Sequence, residues 1–214
     1  MPGVSKVEFL SRVRNALRDR GAPVDLPTDL EIGRVIRAQD NLVDVFLKRV
    51  EEAKMHPYRA VNDGEVVTKV VQVMERLDAR SALIPEAEFS ARGAIIDALK
   101  SRNISLADPN DPDAAFNVDV GITGVTAAVA ETASLVLTSG GAQRRLASLA
   151  VPNHIAIVQT DQILPDLIDW FADERAGTLP CEVLVSAPSK TADIELSLVM
   201  GVHGPKEEHV IVVG

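Results

Sequence analysis

From Pro57 onward the chain alternates short apolar runs with stretches of helical periodicity, and nothing else in the sequence limits the fold as tightly. The strand-like runs are Tyr58–Val61, Ala82–Ile84, Ile104–Leu106, Val118–Ile122, Ser134–Thr138, His154–Gln159, Cys181–Val185 and His209–Val213. Between them lie helical patterns: one capped by Asp63 and reaching about Leu77, then Ser90–Lys100, one near Ala142–Ala150, Leu164–Ala172 and Ala192–Met200. Strands that are apolar throughout, joined by helices, belong to a mostly parallel sheet covered on both faces. The expected class is α/β, in one domain over residues 57–214. Ala107–Asn117 interrupts the alternation with two Asx-Pro pairs and no hydrophobic period, so it reads as a surface loop.

Residues 1–56 have a different texture and are expected to form an N-terminal helical arm. Ser5 and Glu8 have capping-box spacing, Val7, Leu10, Val13 and Leu17 recur at helical intervals, and Gly21 and Pro23 end the pattern. Thr28 and Glu31 repeat the box ahead of a longer helix to about Met55, striped by Ile32, Ile36, Val43, Phe46 and Val50. The stripe is wider than a coiled-coil seam. The arm is therefore expected to pack on the domain, with a dimer contact as the alternative.

Charge and cysteine usage exclude several function classes. A formal net charge of −9 argues against nucleic acid or an anionic membrane as the main partner, though not against a small anion in a local basic pocket. One cysteine, Cys181, allows no internal disulfide and no Cys₄ iron–sulfur site. The charged N-terminus lacks an apolar signal-peptide core, and no run approaches the length of a membrane span. A soluble, cytoplasmic protein is the expectation.

The chemistry concentrates in loops that follow strands, where open α/β sheets bind ligands. After Cys181–Val185, the loop Ser186–Lys190 leads to Thr191, read as the N-cap of the next helix; Ser189, Lys190 and Thr191 would then form an anion cradle at a helix start. A second loop, Ser139–Arg145, follows Ser134–Thr138 and again places cations at a helix start, where they are unfavourable unless an anion is shared. If strand carboxyl ends lie along one edge, Arg145 and Lys190 face one cleft. The other reading makes both cations partners of the abundant surface carboxylates.

Gly121-Ile122-Thr123-Gly124 reads either as a close approach of backbone to ligand, through Thr123 and Gly124, or as an ordinary strand-to-helix turn. Glu131 and Thr132 follow a run of small residues and precede an apolar strand, so Glu131 either caps nearby backbone or faces the cleft. His56, His154, His203 and His209 show no metal-ligand spacing, so no metal site is expected. His203, in the loop before the last strand, is kept as an anion-site candidate.

Together, GITG (Gly121–Gly124), AVAETASLVL (Ala128–Leu137), RLAS (Arg145–Ser148), Pro152–Val158, SKTADIE (Ser189–Glu195) and GVHGP (Gly201–Pro205) resemble the lactate-utilisation (LUD) domain family of LutC/YkgG type. The resemblance covers at least Val118 to the C-terminus, and the helical N-terminal arm fits the family's usual beginning more loosely. It implies a Rossmann-like sheet akin to the NagB/RpiA/CoA-transferase group and 5-formyltetrahydrofolate cyclo-ligase. It also implies a part in oxidising L-lactate to pyruvate beside two LutA/LutB-like partners that carry the iron–sulfur clusters, with no cofactor in this chain. Against the family pattern, Ala133-Ser134 stands where Gly-Thr is usual, Ala187 where Gly is usual, and Lys190 where Arg is usual. Lysine keeps the charge and loses the bidentate fork. The alternative is an autonomous CoA-transferase-like or cyclo-ligase-like enzyme using Glu131 or Glu195; an oligomer is compatible with either reading.

Overall fold

The computed structural model describes residues 4–18, 29, 31–87, 89–140, 145–178, 181–191, 199–201 and 203–214. The chain divides into two compact units, Met1–Gly33 and Arg34–Gly214. In the first, helix α1 (Lys6–Arg18) starts where Ser5 was expected to cap it: Ser5 Oγ accepts the Glu8 N–H at 3.2 Å. Glu8 turns its carboxylate to Arg12 one turn on, at 2.7 Å. No side chain of α1 is buried.

The second expected helix is shorter than its pattern suggested. Glu31–Gly33 is a single 3₁₀ turn, the Arg37 N–H is bound by the Asp40 carboxylate, and α2 runs only over Leu42–Glu52. Asn41 caps it by accepting the Asp44 N–H, so this side chain sets the start; Thr28 lies outside the described residues. α2, which belongs to the second unit, buries Phe46 and Val50 completely against strands of that unit.

The second unit is built on a six-stranded sheet in which every pairing is parallel. Its strands are β1 (His56–Ala60), β2 (Ser81–Leu83), β3 (Ser105–Leu106), β4 (Val120–Gly124), β7 (Asn153–Gln159) and β12 (Glu207–Val213), in the order β1-β12-β7-β4-β2-β3. Helices α3 (Asp63–Arg76) and α4 (Arg92–Ser101) cover one face, sealing Val66, Val70, Ile95 and Leu99 against Val120, Ile122, Ile155 and Ile211. Asn62 caps α3 through the Glu65 N–H, one residue before the expected Asp63.

The other face carries a second sheet that the sequence did not announce: β5 (Ala127–Val129), β6 (Ser134–Ser139), β8 (Ile163–Leu164) and β9 (Cys181–Val185), ordered β8-β5-β6-β9. Here β6 pairs antiparallel with both neighbours. Along β6, Leu135 and Leu137 face the large sheet's Ala156, Val158, Val210 and Val212, while Val136 faces the fully buried Trp170 of α6 (Leu167–Ala172). Alternation thus buries both faces. Arg34 locks α6 in place with two hydrogen bonds to Asp169 and one to Asp166, at 2.8–3.0 Å. No helix among the described residues is long and apolar enough to cross a membrane.

Candidate functional site

Of the helix expected over Ala192–Met200, residues 192–198 lie outside the described residues; the flanking ends form a small ladder in which β10 (Lys190–Thr191) pairs antiparallel with β11 (Val199–Met200). Thr191 is therefore a strand residue and not an N-cap; Glu195 lies outside the described residues. Three bonds fold the following loop back onto Ser189. The Ser189 N–H donates to Pro205 O at 2.8 Å, the Gly201 N–H donates to Ser189 O at 2.9 Å, and the His203 N–H donates to Ser189 Oγ at 3.3 Å. Gly201 has φ +76°, a conformation that suits glycine and lets the loop reverse.

This fold-back walls a concavity of about 430 Å³ between Phe116, Leu149, Val151, Pro152, His203 and Lys206. His203 and Lys206 are both exposed at its rim. The Lys206 N–H is tied to Pro152 O at 2.7 Å, which fixes the strand start beneath it. Pro152 and Lys206 precede β7 and β12, so the concavity opens at the amino ends of the parallel strands, opposite the edge that strand–loop–helix reasoning favours.

Glu131 and Thr132 occupy the hairpin turn between β5 and β6. The Glu131 N–H donates to Pro165 O at 3.0 Å. From Thr132 a chain of hydroxyls runs through Ser134 to Ser186, at 2.7 and 2.6 Å. Ser186 is three residues before Ser189, so the turn, the Ser186–Lys190 segment and the His203 loop are joined in one continuous stretch. Ala133 within this turn has φ +54°, a left-handed conformation that glycine adopts without strain.

Arg145 belongs elsewhere. It is exposed, directly before α5 (Leu146–Leu149), and its guanidinium lies 3.9 Å from Cys181 Sγ. Cys181 pairs with Ser139 at one end of the β6–β9 ladder; Ser134 meets Ser186 at the other. The expectation of two helix starts on one edge fails for a physical reason: β6 and β9 are antiparallel, so their carboxyl ends point apart. Arg144 lies outside the described residues.

The GITG glycines serve packing between elements. A Cβ on Gly121 would sit 1.8 Å from Ala147 O of α5, and one on Gly124 would sit 2.5 Å from Phe89 Cβ. Thr123 between them is buried, with Oγ1 2.9 Å from His154 Nε2. The opposite ring nitrogen, Nδ1, lies 2.8 Å from Glu208 Oε2, and both members of that pair are completely buried. Burial pushes the Glu208 carboxyl up from its ordinary range, against the pull of His154. Its second oxygen, Oε1, has no partner among the described residues. This relay escaped sequence reasoning because Thr123, His154 and Glu208 lie on three strands; a charge amid an apolar strand is the only local signal.

A second histidine cluster lies on the α3 face at the amino ends of β1 and β12. His56 and His209 are register partners with nearly parallel rings, 4.8 Å between centroids and 17° between planes. Glu207 Oε2 lies 3.4 Å from His56 Nε2 and 3.2 Å from His209 Nε2, and it is also paired with Arg76. Burial, then the charges of Arg76, His56 and His154, hold His209 neutral, with its pKa lowered to about 3. Burial pushes the neighbouring Tyr58 hydroxyl up.

Comparison with known proteins supplies the context. The LUD domain family model matches residues 43–213. A lactate utilization protein C from Shouchella clausii (strain KSM-K16) is 30% identical over 82% of this chain and 80% of its own length. One from Macrococcus caseolyticus (strain JCSC5402) is 28% identical over 98% and 96%. The crystal structure of a DUF162 family protein from Deinococcus radiodurans shares the fold, with a TM-score of 0.58 and 21% identity over 81% of this chain and 96% of that one.

Proposed function

This chain belongs to the LUD domain family, and from that premise we propose that it serves lactate utilisation as a cluster-free accessory subunit, working with iron–sulfur partner proteins that oxidise L-lactate to pyruvate. Its own contribution is a binding surface for a small anion, such as a carboxylate, at the concavity beneath His203. The observation that carries this reading is the meeting of His203 and Lys206 at its rim: an imidazole and an ammonium, both exposed, on a loop that backbone bonds hold against Ser189. Lys190, exposed and next to Ser189, adds charge at the same loop. The single cysteine supports the division of labour, since the electrons must travel through clusters this chain lacks the ligands to hold.

The test is reconstitution with LutA/LutB-like partners. The isolated chain should not reduce a dye with L-lactate, the complete mixture should, and Lys206→Ala should weaken binding of lactate or pyruvate by about tenfold, the value of one charge-assisted hydrogen bond. Lactate-dependent dye reduction by the isolated chain would overturn the accessory role. Acyl or ligase chemistry through Glu131 is the second reading. It draws on the hydroxyl chain Thr132–Ser134–Ser186, which starts at the residue after Glu131, and turnover of coenzyme A esters or formyl-folate, abolished in Glu131→Gln, would establish it.

A further inference from the structure

We propose that His56, Glu207 and His209 form a binding site for one divalent transition-metal ion of the zinc class. The three residues begin two adjacent strands, and their donor atoms lie within 4.8 Å of one another. The two edges running to Glu207 Oε2 measure 3.4 and 3.2 Å. A tetrahedral ion bound at roughly 2.0–2.2 Å from nitrogen and oxygen needs donors separated by about 3.3–3.6 Å, so one edge has that length and the other is short of it by about 0.1 Å. The third edge, between the imidazoles, is no longer than 4.8 Å, and the half-exposed His56 ring is the one placed to turn and close it.

A second observation concerns orientation. Tyr58 Oη lies 3.2 Å from His209 Nδ1, on the far side of the ring from the cluster. A partner on one imidazole nitrogen fixes the ring and leaves the other free for a metal, which is how histidine ligands are held in known sites. The third observation is the occupant of the gap. Arg76, reaching in from α3, places its NH2 3.2 Å from His209 Nε2 and pairs with Glu207. The cluster thus draws a cation into the place a metal would take. Arg76 is 44% exposed, so water is at hand to solvate it when a metal displaces it, whereas the His209 side chain is fully buried and held in place. His56 and Glu207, 42% and 36% exposed, give an ion its way in and leave a fourth position for water. Two imidazoles and one carboxylate suit zinc, cobalt or nickel rather than magnesium or calcium.

The experiment uses the full chain, untagged and stripped with EDTA, titrated with Co²⁺ as a spectroscopic probe and with Zn²⁺ in competition. One Co²⁺ per chain should bind with the intense visible bands of a four-coordinate ion, and Zn²⁺ should displace it. His56→Ala and Glu207→Gln should each weaken binding at least tenfold. Arg76→Met, which removes the competing cation, should tighten it by a similar factor. All three positions are partly exposed, so melting of the metal-free variants checks that the fold survives. A wild-type chain that takes up no Co²⁺, or that binds it equally well without His56 and without Glu207, would overturn the proposal.

Discussion

Glu208 and His154 stand side by side on adjacent parallel strands, Oε2 2.8 Å from Nδ1, with neither side chain reached by solvent. A buried pair of this kind depends on both members, because removing one strands the other in a medium of low polarity. Glu208→Ala and His154→Ala should each cost about 3–5 kcal/mol in urea unfolding. Replacing both by apolar residues, as in His154→Leu with Glu208→Met, should cost less than the sum of the single changes. Additive losses would show that the pair is uncoupled.

Acid should destabilise the fold through His209. Its folded pKa, lowered to about 3, lies below the ordinary value of 6.5, so between those values the unfolded chain binds the extra proton. Stability contributed by the neutral ring is complete above 6.5 and declines as pH falls toward 3, with a slope approaching ~1.4 kcal/mol per pH unit. Glu208 acts oppositely: its raised folded pKa stabilises at low pH, and that contribution is lost as pH rises through the folded value. His209→Gln should flatten the acid limb, and Glu208→Gln should steepen it. Urea melts across this range, run with a chelator present, separate the two.

Gly121 and Gly124 should respond differently to the same methyl group. At Gly121 the obstacle is a backbone carbonyl, Ala147 O at 1.8 Å, and α5 must move for alanine to fit. At Gly124 it is Phe89, a half-buried side chain on a loop that can shift. Gly121→Ala should cost about 3 kcal/mol or more, and Gly124→Ala about 1 kcal/mol. Thermal melting of the two variants decides it.

At Ala133, relief of the left-handed backbone, about 1–2 kcal/mol, opposes two losses on going to glycine. Those are the added freedom of the unfolded chain, about 0.4–1 kcal/mol, and a buried methyl of about 0.8 kcal/mol. Ala133→Gly should therefore change stability by less than about 1 kcal/mol, whereas Ala133→Val, β-branched at positive φ, should cost about 2 kcal/mol or more. A large gain from glycine would mean that the turn is strained beyond its backbone angle.

The purified chain should also show no flavin or iron–sulfur absorption and no stoichiometric iron or sulfide, since Cys181 alone cannot hold a cluster. A visible cofactor band that survives gel filtration would contradict the proposed division of labour.

The parallel sheet was legible because Ile155–Val158 and Val210–Val213 are apolar at every position, as strands covered on both faces must be. The second sheet was not, because a buried strand such as Ser134–Ser139 reads the same whether its neighbours run parallel or antiparallel. Val199-Met200 likewise fits either a helical or a strand period when read alone. Site residues fared by range. Ser189 and His203 share a loop system, and their partnership could be guessed. His56 and His209 are register partners far apart in the chain, and Thr123, His154 and Glu208 meet only across strands, so no spacing motif could reveal either set.

β12 lies between β1 and β7, making the last-numbered strand a central one. A ribosome that has made residues 56–200 has therefore made a sheet in two pieces, each with an open hydrogen-bonding edge and an apolar surface. Until residues 207–213 emerge and slide between them, β1 has no strand beside it and β7 is paired only with β4. Such edges invite pairing with other chains, so the nascent protein stays aggregation-prone until β12 has been made. A stop codon before Glu207 leaves both edges open permanently, and the shortened product is a substrate for chaperones and proteases rather than a weakened version of the same protein.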